Sequence, residues 1–135
     1  MSKAGILAVT VVEAKNLSEE IDLFKSLISD ILLGNPWVQL ILDNHNYQAT
    51  KTKNGDSNPK FDTKFTFNVQ GHEKLKVRVW DEDKIEKDDL IGEDEIDISE
   101  VISKNYIDAW FDLTKDILEF ESKGEIHLII EFIPK

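Results

Sequence analysis

Apolar and polar residues alternate along much of this chain, and the alternation predicts strands far more often than helices. Leu75-Lys76-Val77-Arg78-Val79-Trp80 sets apolar and charged side chains on opposite sides, as in a sheet with one wet face. Ile126 to Ile133 repeats the pattern, with Leu128, Ile130 and Phe132 on one side and Ile129, Glu131 and Ile133 on the other. Ile6 to Val12 is a β-branched run ending near the turn-prone Lys15-Asn16. Trp37 to Leu42 follows Gly34-Asn35-Pro36, with proline at the strand entrance, where its missing N–H costs least. Asp43-Asn44-His45-Asn46 reads as a hairpin turn into a strand from Tyr47 to Thr52. Phe61, Phe65 and Phe67 bracket another strand, Ile91, Ile96 and Ile98 mark one interrupted by acids, and Ala109 to Leu113 suggests one more. About eight short strands with turn signals between them favour an all-β antiparallel sandwich over a βαβ layout.

One segment departs from this pattern. Between Ser18 and Leu33 the apolar residues Ile21, Phe24, Leu27, Ile28, Ile31 and Leu32 recur at spacings of three and four. Ser18-Glu19-Glu20 suits a helix start, and Gly34 suits a stop. The expectation is an amphipathic helix of roughly three to four turns, too long a stretch for an ordinary interstrand loop. Its apolar face would pack on the sandwich or on a second subunit, or enter a lipid headgroup region.

Composition narrows the class. The 135 residues are 41% hydrophobic and 32% charged, which suits a single globular domain over residues 1–135. Without cysteine there is no disulfide framework, thiolate nucleophile or sulfur-ligated metal. The apolar runs are too short to cross a bilayer, and Met1-Ser2-Lys3 lacks a secretory apolar region, so a cytoplasmic protein is expected. A net charge of −11 repels nucleic acid and anionic headgroups unless something inverts the sign locally. Most of that charge is concentrated between Asp81 and Asp97, where ten acids face only Lys84 and Lys87.

The acidic run also carries the candidate chemistry. Asp81 and Asp83 are one residue apart at a predicted strand end, which would send both side chains off the same side. Asp89 opens the next strand, and a loop between adjacent strands brings it back opposite the pair. Gathered carboxylates repel one another unless a cation sits among them, and such hard oxygens suit Ca²⁺ better than a transition metal. The plain alternative is a solvated acidic turn. No arginine clamps or pocket-building insertions accompany the acids, which argues against an enzyme. His45, His72 and His127 are dispersed without metal-ligand spacing, and Asn54-Gly55-Asp56 is a turn, not a phosphate cradle.

Val79-Trp80-Asp81-Glu82-Asp83, followed by Asp88-Asp89-Leu90-Ile91-Gly92, resembles the third calcium-binding loop of the C2 domain, a lipid-binding module. Other motifs agree in order. Leu7 to Leu17 resembles the family's opening strand, and Gly34-Asn35-Pro36-Trp37-Val38 its Ser-Asp-Pro-Tyr-Val signature. Thr50-Lys51-Thr52, Asn58-Pro59-Lys60-Phe61 and Phe65-Thr66-Phe67 resemble its middle, and Gly124 to Ile130 its end, in the order of the second circular permutation.

The resemblance implies an eight-stranded antiparallel Greek-key β-sandwich, with the short helix inserted in the first ion-binding loop and Ca²⁺ held between two loops at one end. It implies Asp81, Asp83 and Asp89 as ligands. Asn35 stands where the family usually has Asp and brings a carbonyl oxygen without charge. The first-loop ligand is Asp22 or Asp30, and continuity with Asn16-Leu17 favours Asp22. On the same grounds Trp37, Lys51, Lys53 and Trp80 are lipid-facing positions, with Lys60 and Lys64 as further cations; Trp37 and Trp80 suit sheet packing equally. The function implied is calcium-dependent binding to anionic phospholipid membranes by a peripheral targeting or signalling module. The alternative is a calcium-independent protein-interaction module of the same fold, with protein partners or a dimer through the first-loop helix; nucleic acid is not an expected partner.

Overall fold

The computed structural model describes residues 4–17, 34–83, 85–115 and 122–135. Among these, eight strands form in chain order: β1 (Ala4–Lys15), β2 (Pro36–Asp43), β3 (Asn46–Ala49), β4 (Lys60–Gln70), β5 (Lys74–Asp81), β6 (Asp89–Asp97), β7 (Tyr106–Asp112) and β8 (Glu125–Pro134). A short helix, α1 (Ile98–Lys104), joins β6 to β7. The strands make two four-stranded sheets, ordered β4-β1-β8-β7 and β3-β2-β5-β6, and every pairing is antiparallel. The all-β sandwich expected from the alternation is therefore the fold. The helix expected between Ser18 and Leu33 lies outside the described residues.

The inner faces explain why these segments are strands. Leu7, Val9 and Val11 of β1 and Ile126, Leu128 and Ile130 of β8 are fully buried. They meet Val38 and Leu40 of β2 and Leu75, Val77 and Val79 of β5, which are buried to the same degree. A period of two is the only backbone repeat that turns all these apolar side chains to one side. Each such burial contributes on the order of 1.5–3 kcal/mol. Leu128, Ile130 and Phe132 face in while Ile133 is half exposed, as the alternation of β8 predicts.

Three boundaries differ from the sequence reading. Ile98 is not a strand residue but the first residue of α1. Asp97 caps that helix: its side chain accepts the Ser99 amide N–H at 3.0 Å, which ends the strand and starts the turn. Asn105 closes the helix in a left-handed conformation, φ 63°, while Ile98 and Val101 anchor it to the core. β7 starts at Tyr106, earlier than Ala109, because its pairing with β8 runs from Tyr106 opposite Glu131 to Asp112 opposite Glu125. β3 stops at Ala49 rather than Thr52. Beyond it, the hydroxyl of buried Thr50 accepts the Val38 N–H at 2.9 Å.

The two sheets are joined where Glu93 of β6 and Thr114, shortly after β7, exchange two backbone hydrogen bonds, of 2.8 and 3.1 Å. Gly92 lies directly beneath this crossing. A Cβ built on it would fall 2.9 Å from Leu113 Cβ and 3.3 Å from Lys123 Cβ, so only a glycine lets the two segments approach this closely. Gly92→Ala is expected to lower unfolding stability by about 1–3 kcal/mol through overpacking, read as an earlier midpoint in urea denaturation.

Candidate metal-binding rim

Three strand ends meet at one end of the second sheet. Pro36, at the start of β2, lies opposite Asp81, at the end of β5, and Asp81 lies opposite Asp89, at the start of β6. The expected return of Asp89 to face Asp81 is thus a consequence of strand register. Asp83 differs from expectation: β5 ends at Asp81, so Asp83 belongs to the following turn, and strand alternation no longer sets its direction.

Backbone donors organise this rim. Asp81 Oδ1 accepts the Asn35 N–H at 2.8 Å, and the Asn35 carbonyl accepts the Glu82 N–H at 2.9 Å. The Asn35 side-chain oxygen accepts the Gly55 N–H at 3.1 Å, which brings the turn after Lys53 against the same end. The Lys53 N–H is itself held by the Pro36 carbonyl at 2.9 Å. Asp83 Oδ1 accepts the N–H groups of Ile85 and Glu86, at 2.8 and 3.1 Å, the arrangement by which aspartate closes a turn on itself.

Asp88 carries a contact that sequence reasoning missed. Its Oδ1 accepts the Asp83 N–H at 3.1 Å, and its Oδ2 accepts the indole N–H of Trp37 at 2.9 Å. The only signal in the sequence is that Asp88 adjoins Asp89, the aspartate to which the motif gives a role. Ile85 was missed as well, since in residue order it signals no more than an interruption of the acidic run. At 94% exposure it is an almost bare apolar side chain in the middle of the acidic loop.

Trp37 and Trp80 are register partners on β2 and β5, with rings stacked at 6.0 Å between centroids and 17° between planes. Both are half-buried, and the Trp80 N–H donates to Gln39 Oε1 at 3.1 Å. Lys51 and Lys53 are exposed beside this end of the sheet; Lys60 and Lys64, on β4 of the other sheet, are exposed as well. Asp22 and Asp30 lie outside the described residues. Among the described residues no three His, Cys, Asp or Glu side chains gather closely enough to hold an ion. The donor chemistry of the rim nevertheless fits a hard cation, because Asp81, Asp83, Asp89 and the Asn35 amide all offer oxygen.

Two carboxyl groups are displaced from the ordinary range, neither of them in this rim. Hydrogen bonds from the Asn46 side chain, His72 and the His45 amide hold Asp43 well below it, at the far end of β2. His72 Nδ1 accepts the Gln70 N–H at 3.1 Å, so the ring's proton sits on Nε2, 2.7 Å from Asp43 Oδ2. Asp94, across from Val77, is raised by partial burial, with Asp112 and Glu95 adding like charge. His127, the third dispersed histidine, stacks on Trp110 at 5.0 Å and pairs with Asp108.

Residues 5–113 match the C2 domain family. Synaptotagmin-5 of Arabidopsis thaliana is 28% identical over 141 residues, covering 99% of this chain and 24% of that protein. The 16 kDa phloem protein 2 of the same plant is 29% identical over 132 residues, covering 96% of this chain and 82% of that protein. A calcium-bound solved structure of the paired C2 domains of Extended-Synaptotagmin 2 superposes with a TM-score of 0.76 at 25% identity. It covers 95% of this chain and 45% of that one. The chain thus spans about a quarter of the first relative and most of the second.

The sign of the Asp94 shift gives a test. A carboxyl raised by burial is penalised in its ionised form, so the penalty is present at neutral pH and disappears as pH falls through the raised value. Asp94→Asn is expected to raise the melting temperature at pH 7. That advantage over the unsubstituted chain should shrink steadily as melting curves are taken at lower pH.

Proposed function

This chain belongs to the C2 domain family, and from that premise we propose that it binds anionic phospholipid membranes in a calcium-dependent manner. The domain is taken to span residues 1–135, and the reading concerns its own activity as a membrane-targeting or signalling module. The observation that carries it is the meeting of Asp81 with Asp89 across the β5–β6 register, beside Asn35 and the turn of Asp83. Asp81, Asp83, Asp89 and Asn35 would hold Ca²⁺, with Asp22 or Asp30 completing the set. When bound, the ion supplies positive charge and open coordination positions for phosphate oxygens.

The chain's own residues supply the rest. Without a cation, the acids between Asp81 and Asp97 repel an anionic leaflet, and neutralising the rim removes that barrier. Lys51 and Lys53, exposed beside the rim, each add about 1 kcal/mol when close to an anionic surface. Ile85 can leave water as the rim approaches the headgroups, a gain of about 1.5–3 kcal/mol at full burial. No described helix is long and apolar enough to cross a membrane.

One observation favours the second reading, a calcium-independent protein-interaction module. Asp81 and Asp83 each direct an oxygen to backbone N–H groups, so hydrogen bonds within the chain themselves give the loop a defined shape. Calcium separates the two readings. A ligand that binds only the folded state raises stability by RT ln(1 + [L]/Kd), so millimolar Ca²⁺ should raise the melting temperature and millimolar Mg²⁺ much less. Asp81→Asn combined with Asp83→Asn should abolish both that rise and calcium-dependent sedimentation with phosphatidylserine vesicles. Undiminished pelleting of the double variant would remove the site assignment, and no thermal response to Ca²⁺ in the unsubstituted chain would favour the interaction module.

A further inference from the structure

Packing of the second sheet accounts for the Trp37–Trp80 stack, because register partners on adjacent strands lie within reach of one another. It does not account for the edge of the Trp37 ring. The indole N–H crosses to Asp88, 51 residues away, and meets Oδ2 at 2.9 Å. The same carboxylate receives the Asp83 N–H on Oδ1, and Asp83 in turn receives the Ile85 and Glu86 N–H groups. A continuous set of hydrogen bonds therefore runs from a central strand to the turn that presents Asp83. Trp80 makes no such link, since its N–H goes to Gln39 on β2.

We propose that Trp37 is a positioning residue for the rim: by holding Asp88 it fixes the shape of the loop between β5 and β6, and with it the direction of Asp83. The effect on ion affinity rests on the calcium reading above, whereas the effect on loop shape does not. An indole N–H is a donor only, and a hydrogen bond to a carboxylate is stronger than one between neutral groups. When that bond is lost, the loop samples more conformations, and an ion must restrict them as it binds. The affinity observed then falls by the fraction of time the loop spends in its competent shape. Trp37 thus acts through Asp88 and need not touch the ion.

The test compares the full chain with Trp37→Phe, which retains an aromatic ring for the stack and loses the donor. Gln39→Met, which removes the partner of Trp80 without touching the loop, is the control. The first readout is hydrogen exchange of the Asp83 amide by NMR in calcium-free buffer, and the second is calcium titration by calorimetry. Trp37→Phe should unfold as cooperatively as the unsubstituted chain, exchange the Asp83 amide about tenfold faster and bind Ca²⁺ about tenfold more weakly. Gln39→Met should match the unsubstituted chain in both. Unchanged Asp83 exchange and unchanged affinity in Trp37→Phe would overturn the inference while leaving the calcium reading intact. If the unsubstituted chain takes up no calcium, the calcium reading and the affinity effect both fall, and Asp83 exchange decides the loop-shaping role. Should Trp37→Phe not fold, Asp88→Asn breaks the same link from the loop side, since its amide oxygen can still accept the Asp83 N–H while its NH₂ cannot accept the indole N–H; faster Asp83 exchange is again expected, and unchanged exchange would overturn the inference.

Discussion

Side chains on the inner faces of β1, β8, β2 and β5 are almost wholly removed from water, and their contact across the sandwich governs where everything else can lie. A sheet with one apolar face is stable only when that face is covered, and two such sheets cover each other. Once the strands are committed, their connections must leave at the two ends, where backbone polar groups can reach water or a partner. The rim at Pro36, Asp81 and Asp89 is one of these ends. Its aspartates are neighbours because Val38, Val79 and Gly92 are paired deeper in the sheet. The glycine at that depth is required by the close passage of Leu113.

Charge on the β5–β6 pair is handled in two ways. Along the outer face of β5 and β6, acids meet bases across the strands: Arg78 with Glu93 at 3.0 Å, Lys76 with Glu95 and Lys74 with Asp97, both at 3.9 Å. These pairs are partly exposed and add little stability, but they spread opposite charge along the strands. At the rim, backbone N–H donors orient the carboxylates of Asp81, Asp83 and Asp88. Asp83 and Asp88 thereby act as turn-forming residues, and the proposed cation site is built on side chains that also shape the backbone. That dual use makes the link from Asp88 to Trp37 consequential, since the loop's geometry and its chemistry depend on the same carboxylates.

Much of the architecture was legible in residue order. The β-branched runs and period-two alternation of β1, β5 and β8 have one solution, because a slip of one residue would turn Leu128 and Ile130 into water. The motif around Asp81, Asp83 and Asp89 was visible because its spacing is local. The entry into α1 was missed because Ile98 continues the apolar beat of Ile91 and Ile96, and only the Asp97 cap breaks it. The role of Asp88 could not be read in advance. It lies 51 residues from Trp37, and no local pattern distinguishes a carboxylate that takes an indole N–H from one that faces solvent.

Residue order by itself therefore determined the strand content, the two-sheet architecture, the concentration of acid between β5 and β6 and the identity of the aspartates that face each other there. These follow from periodicity and short spacing, which act over a few residues and need no knowledge of distant neighbours. The tertiary structure alone decided that Asp83 belongs to a turn and not to a strand, that Trp37 and Trp80 stack with their N–H groups directed to different partners, and that Ile85 stands bare among the acids. Those outcomes depend on which side chains meet across strands far apart in the chain, and such meetings exist only after the core has closed.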